Sequence, residues 1–369
     1  MKVIVLGGAG DMGSEAVKEL VQFPEVEGIT IADLNTAAAE KLASSLGEEK
    51  VRVQKVDATC HQDLVNVLRG HTVAAGALGP FYRFEKPIVE AALAAGVDYV
   101  SICDDYDAVS AATQLDQTAR DKGRKVLTGM GWTPGLSNIL ARKGYDALEK
   151  TESIRIYWAG SAGDSTGFAV ILHTIHIFSR LVPSYQRGRT IQIKAGSEGE
   201  IVGFPPPLGR IHTYHLGHPE PVTIPLYLQD VKEVVLKGGL VENYLNNLTR
   251  LLSSLGLTNT PAKKQALGKL MKALLPLFPV NKEKAISGIR VEVTGYRGEK
   301  KVRLAYTAVD HMRRLTGIPL SIGTYMMGRG QIKRYGVFAP EAEGAVDPDA
   351  FLQELHRRDI EVESQEEEL

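Results

Sequence analysis

The chain of 369 residues lacks most of the features that assign a protein from a single motif. It has two cysteines, Cys60 and Cys103, at no metal-ligand spacing, so neither a zinc site nor a disulfide framework is expected. Both thiols are read as reduced, half-buried residues of a cytoplasmic protein. The formal net charge is −1, which leaves no electrostatic case for nucleic acid or an anionic membrane as partner. No apolar run is long enough to span a bilayer. Met1 leads directly into an apolar strand, so no secretory leader is expected. There is no Gly-x-Ser-x-Gly, no Walker loop and no His-Glu-x-x-His. What is left is 44% hydrophobic and 24% charged residues, ordinary globular composition in a chain longer than one core usually serves.

What is present begins at residue 2. Lys2 to Leu6 is a short apolar run, Gly7-Gly8-Ala9-Gly10-Asp11-Met12-Gly13 follows at once, and a helical pattern opens behind it. Gly28 to Ala32 then reads as a second strand closed by Asp33. A Gly-x-Gly-x-x-Gly that follows a strand, opens a helix and precedes an acid by about 20 residues is the dinucleotide fingerprint. Gly8 allows the turn, Gly10 lets a pyrophosphate approach the backbone, and Gly13 lets helix and strand pack closely. The helix N terminus, at Asp11 and Met12, offers N–H groups and the positive dipole end to phosphate. Asp33 is expected to accept hydrogen bonds from the adenosine ribose. Its charge repels a 2′-phosphate, which favours NAD and leaves NADP as the alternative cofactor.

Strand and helix patterns then alternate to about Lys125–Thr128, which predicts an α/β fold with a Rossmann-type doubly wound parallel sheet. Ligands of such sheets bind beyond the carboxyl ends of the strands. That rule selects Asp57 and Ala58 after the third strand, to flank an adenine, and Gly79 and Pro80 after the fourth, where small residues let a dinucleotide lie flat. It also selects Asp104 and Asp105 after the fifth. Phe81, Tyr82 and Arg83 follow the fourth strand. Tyr82 is a candidate proton donor and Arg83 a candidate carboxylate grip, against packing and solvation as the bland roles. Asp104 and Asp105 read either as an ammonium-holding or base pair, or as caps of the next helix.

Past Trp132 the strands cluster, and a second α+β substrate domain is expected. The boundaries are placed at 1–131 for the dinucleotide domain, 132–309 for the substrate or dimerisation domain, and 310–369 for C-terminal helices returning to the first domain. Thr190 to Phe204 reads as a two-stranded hairpin, and the acidic stretch from Glu361 to Leu369 as a solvated tail. Gly163 to Gly167 reads as a substrate loop or, more simply, as a helix cap by Asp164 or Ser165. His173 and His176 lie three apart on one helical face without a carboxylate at ligand spacing, so no metal is expected and His173 stands as a third acid/base candidate.

Gly79-Pro80-Phe81, Ala95-Gly96-Val97-Asp98-Tyr99-Val100, Thr316-Gly317-Ile318-Pro319 and Gly336 to Glu341 all resemble the saccharopine dehydrogenase family. The block Gly131-Trp132-Thr133-Pro134-Gly135-Leu136-Ser137-Asn138-Ile139-Leu140-Ala141 is the most specific match. The resemblance covers nearly the whole chain and is weakest from about residue 160 to 225. It implies an NAD(P) domain completed by C-terminal helices, a substrate domain between, a homodimer, and redox chemistry at a carbon–nitrogen bond of an amino acid or polyamine derivative. In lysine 6-dehydrogenases Gly-Gly-Leu-Pro is expected after the following strand, where this chain has Ala159 to Asp164. That departure bears on the substrate and leaves the fold intact. The acid/base is expected among Asp104, Tyr82 and His173, and the carboxylate grip among Arg83, Arg155, Arg187 and Arg210. The readings are an amino-acid dehydrogenase of the lysine or saccharopine kind, a carboxynorspermidine or carboxyspermidine dehydrogenase, and a non-catalytic dinucleotide sensor.

Overall fold

A computed structural model describes residues 1–164, 167–280 and 282–369. The chain divides into two compact units, Met1–Leu136 with Arg313–Glu354, and Ser137–Met312 with Leu355–Leu369. The strands in chain order are β1 Lys2–Leu6, β2 Gly28–Asp33, β3 Val51–Lys55, β4 Val73–Gly76, β5 Asp98–Ser101 and β6 Lys125–Leu127. Then come β7 Lys150–Gly160, β8 Leu181–Gln186, β9 Arg189–Lys194, β10 Glu200–Phe204, β11 Gly209–His215 and β12 Glu233–Leu240. β13 Ser287–Arg297, β14 Lys300–Asp310, β15 Gly336–Phe338 and β16 Glu363–Glu368 complete the set.

The first unit is a seven-stranded sheet of order β15-β6-β5-β4-β1-β2-β3, parallel throughout. The order reverses between β1 and β4, which opens a crevice beyond their carboxyl ends. Val3, Ile4, Val5 and Leu6 are buried on both faces, as a central parallel strand requires. The helix Asp11–Val21 turns Ala16, Val17, Leu20 and Val21 inward. Asn35 caps the helix Thr36–Leu46 by accepting the Ala38 N–H at 3.2 Å. Between β5 and β6 lie two short helices, Tyr106–Thr113 and Asp116–Asp121.

In the second unit β12 runs parallel to β7, and the other neighbours are antiparallel, in the order β10-β11-β12-β7-β13-β14-β16. Two sequence expectations are corrected here. Thr190 to Phe204 is not a hairpin: β9 pairs with β8 across the Arg187-Gly188 turn, and β10 pairs with β11. Residues 195–199 between β9 and β10 form a connection in which Gly196 and Glu198 take positive φ.

The acidic tail is exposed, yet it is not a loose end. β16 adds to β14 from Glu363 opposite Thr307 to Glu368 opposite Val302. Three charge pairs accompany the ladder: Arg297 meets Glu366 at 3.0 Å, Lys300 meets Glu368 at 2.9 Å, and Arg303 meets Glu367. Exposed pairs of this sort contribute roughly 0–1 kcal/mol each and are screened by salt. Ending the chain at Val362 should therefore lower the melting temperature by a few degrees at low ionic strength and by much less in about 1 M salt. A loss independent of salt would assign the strand's contribution to its backbone ladder instead. Among the described residues no helix is long and apolar enough to cross a membrane.

Candidate active site

In the glycine turn the left-handed conformation falls at Gly7, not at Gly8 where the sequence placed the tight turn. Gly7 takes φ +73°, and a Cβ there would lie 2.7 Å from the Ala77 carbonyl oxygen, so the turn is pressed against the chain leaving β4. At Gly13 a Cβ would overlap the Gly7 carbonyl and come within 2.9 Å of Gly8 Cα. At Gly10 a Cβ would meet only the Gly7 oxygen, at 3.3 Å, which leaves the space above it open to a ligand. Gly10 is the N-cap of the helix Asp11–Val21, and no side chain caps that end. An open cradle, close helix–strand packing and uncapped N–H groups together fit a dinucleotide pyrophosphate.

Asp33 is brought to this turn. Its carboxylate accepts the Ala9 N–H at 3.1 Å through one oxygen and the Asn35 N–H at 2.9 Å through the other. Asp57 accepts both the N–H and the hydroxyl of Thr59, at 2.9 and 2.6 Å, and these bonds hold its carboxyl below the usual range. Ala58 follows it in the same turn. Gly79 and Pro80 lie beyond β4, with Pro80 the N-cap of the helix Phe81–Ala95.

Tyr82 and Asp105 are in contact: the Asp105 carboxylate accepts the Tyr82 N–H at 2.8 Å. Asp105 is fully buried and caps that helix, not the helix Tyr106–Thr113 that it precedes. Burial, with the Asp105 charge beside it, raises the Tyr82 phenol above its usual range, so it stays protonated and is a donor at neutral pH. Arg83 is exposed, its guanidinium 4.9 Å from the Phe84 ring.

Sequence reasoning missed Glu85. It is fully buried, and its carboxyl accepts the Ser101 hydroxyl at 2.5 Å and the Tyr99 hydroxyl at 3.1 Å. Burial pushes its pKa up to about 7, against those two hydrogen bonds and with the charges of Asp104 and Asp105 adding to the rise. The signal was present: Phe81, Glu85, Ile88, Val89 and Ala92 fall on one helical stripe, and an acid on an apolar stripe is conspicuous.

The second unit carries the other candidates. His173 lies on the helix Phe168–Ile177, its ring edge-on to His218 with centroids 5.2 Å apart. His218 Nδ1 is 3.8 Å from Glu220, and Glu220 accepts the Ser137 hydroxyl at 2.7 Å. Asn138 Nδ2 reaches Thr223 at 3.4 Å, so the Ser-Asn pair of the most specific sequence block holds the helix Glu220–Tyr227 in place. His176 is engaged elsewhere, with Lys264 Nζ at 2.6 Å from its Nδ1.

Asp164 does not cap its own helix. It accepts His311 Nδ1 at 2.8 Å, the Ser287 hydroxyl at 2.7 Å and the Met312 N–H at 2.7 Å. Ser165 and Thr166, in the expected substrate loop, lie outside the described residues. Of the candidate carboxylate-binding arginines, Arg155 pairs with Glu233 at 2.8 Å and Arg187 occupies the β8–β9 turn. Arg210 lines an open groove of about 670 Å³ with Ile211, Asn243, Tyr244 and Lys284.

A doubly wound parallel sheet with an open glycine turn, beside a mixed-sheet second unit, fits a protein that binds a nicotinamide dinucleotide. Residues 3–127 match the family described as the saccharopine dehydrogenase NADP binding domain. Over 390 aligned positions the chain is 24% identical to a carboxyaminopropylagmatine dehydrogenase of Synechocystis sp., covering 96% of this chain and 95% of that one. Apo histidine-tagged saccharopine dehydrogenase (L-Glu forming) from Saccharomyces cerevisiae shares the fold, with a TM-score of 0.72 and 14% identity over 99% of both chains. Residues 3–127 are thus similar to a saccharopine dehydrogenase NADP binding domain, and the similarity to a dehydrogenase runs over nearly the whole chain.

Proposed function

We propose that this protein is an NAD-preferring dehydrogenase that oxidises the carbon–nitrogen bond of a carboxylated amine. The observation that carries the reading is the whole-length similarity to a protein whose name describes such a substrate. Asp33 supports the coenzyme preference, because its carboxylate is fixed beside the turn where an adenosine ribose would lie. The Gly7–Gly13 turn and the helix behind it hold the pyrophosphate. The bound dinucleotide would supply the two-electron acceptor for the hydrogen on the substrate carbon. Asp104 takes the proton from the amine as the carbon–nitrogen double bond forms. Tyr82 remains protonated and orients the reacting nitrogen or the incoming water by a hydrogen bond. Water adds to the imine carbon, the carbon–nitrogen bond breaks, and a carbonyl and a free amine leave; reductive amination is the reverse. His173 is the alternative acid/base, supported by the buried His218–Glu220–Ser137 group behind it.

A panel of carboxylated polyamines, saccharopine and lysine, each with NAD and NADP and read by nicotinamide absorbance, tests the reading. Turnover is expected with carboxylated polyamines and NAD. Turnover confined to saccharopine or lysine moves the substrate to the amino-acid class, and tight NADH binding without turnover on any of them marks a sensor. Replacing Asp33 with serine should cut the NAD-over-NADP preference by about tenfold or more, equivalent to about 1.4 kcal/mol. Unchanged selectivity removes Asp33 from the ribose.

A further inference from the structure

Glu85 has no place in the chemistry described so far, yet the chain goes to some length to bury it. Its two carboxyl oxygens are bound by Tyr99 and Ser101, both on β5 and both fully buried. β4 makes room for this: a Cβ at Gly76 would overlap the Tyr99 hydroxyl. The network continues toward the site. The Ser101 hydroxyl accepts the Cys103 N–H at 3.4 Å, Cys103 Sγ lies 3.9 Å from the Asp105 carbonyl oxygen, and the Asp105 carboxylate returns to Tyr82, one helical turn before Glu85. A closed ring of contacts thus joins the first turn of the helix Phe81–Ala95 to the turn that carries Asp104.

We propose that Glu85 is a positioning residue, which clamps the Cys103–Asp105 turn to the helix bearing Tyr82 and so sets the geometry of the acid/base pair. The inference rests on the assignment of Asp104 and Tyr82 above. The titratable groups facing Glu85 are Tyr99 on β5 and Cys103, Asp104 and Asp105 on the turn beyond it. Burial disfavours the charged form of Glu85 more than its two hydrogen bonds favour it, so ionisation works against its place in the ring.

Cys103 is a built-in reporter, because it is fully buried inside the ring while Cys60 is exposed. In full-length protein carrying Cys60→Ser, Cys103 should react slowly with Ellman's reagent. Glu85→Ala should speed that reaction by tenfold or more, with a cooperative melt retained and NADH affinity within about threefold of the parent. With the best substrate of the panel, kcat should fall by about 10²-fold, the usual result of displacing a reacting group by about an ångström, while KM changes little. Glu85→Gln, which keeps the hydrogen-bonding shape, should restore protection of Cys103 and most of kcat. It should also remove a step near pH 7 from the kcat profile of the parent. Slow Cys103 labelling in Glu85→Ala, or an unaltered pH profile in Glu85→Gln, overturns the proposal. Should Glu85→Ala not fold, the pH dependence of Cys103 labelling in the parent and in Glu85→Gln decides, since only the parent should open as pH rises past 7. The thiol readout needs no substrate, so it separates this inference from the functional reading, which fails independently if Asp104→Asn keeps full turnover.

Discussion

Replacing Gly13 with alanine should abolish dinucleotide binding, with affinity for NADH reduced at least a hundredfold by calorimetric titration. The added methyl would overlap the Gly7 carbonyl and stand 2.9 Å from Gly8 Cα. Both are backbone atoms, so no side chain can swing aside. The helix must move away from β1 or the turn must deform, and either displaces the N–H groups from the phosphate position. Overpacking of this kind also costs about 1–3 kcal/mol of stability. Gly10→Ala is the informative partner. Its φ of −76° suits alanine, and its single close neighbour is at 3.3 Å. Stability should change by less than about 1 kcal/mol, whereas affinity should fall tenfold or more because the methyl occupies the ligand's space. Unchanged NADH affinity in both variants would end the assignment of the turn as a phosphate cradle.

Glu85→Gln should change how stability depends on pH. The Glu85 pKa is about 7 in the folded protein and near 4.5 when unfolded, so between those values the unfolded chain releases a proton that the folded chain retains. Stability of the parent therefore falls as pH rises through this window, and the contribution is fully lost above about pH 7. A shift of this size corresponds to roughly 3 kcal/mol. Glutamine does not titrate. The stability of the variant relative to the parent should thus move in its favour by about that amount between pH 4.5 and 8, measured by urea unfolding at a series of pH values. A difference that stays constant across the range would return Glu85 to an ordinary carboxyl.

The parallel sheet was legible because its strands are short apolar runs and its turn glycines have separate steric duties, each visible as a missing side chain. The same logic placed Asp33, Asp57 and Asp104 at strand ends. Patterning could not show that Asp105 would turn back to cap the helix of Tyr82, because a cap is normally sought just ahead of its own helix. Asp164 misled in the same way: its partners are Ser287, His311 and Met312, more than a hundred positions along the chain. The β8–β9 hairpin was missed because Arg187 sits at φ +52° in its turn, a conformation that sequence rules reserve for glycine and asparagine. β16 was missed because it has no apolar face: all six of its residues are exposed, and its side-chain partners are basic residues of β13 and β14.

The first unit is assembled from two stretches of chain separated by 176 residues of the second, Ser137–Met312. During synthesis, β6 emerges long before β15, its neighbour at the sheet margin, has been translated. The same holds for the segment from Leu315 to Met327, whose Gly317 packs against the Met12 carbonyl and whose Tyr325 stacks on Phe23 at 4.0 Å. Until then the nascent N-terminal portion exposes an unpaired strand margin and an uncovered apolar flank on the helix Asp11–Val21. Maturation of the nucleotide fold is thereby deferred until β15 has emerged, and a product terminated before it would be an aggregation-prone fragment in place of a stray coenzyme binder.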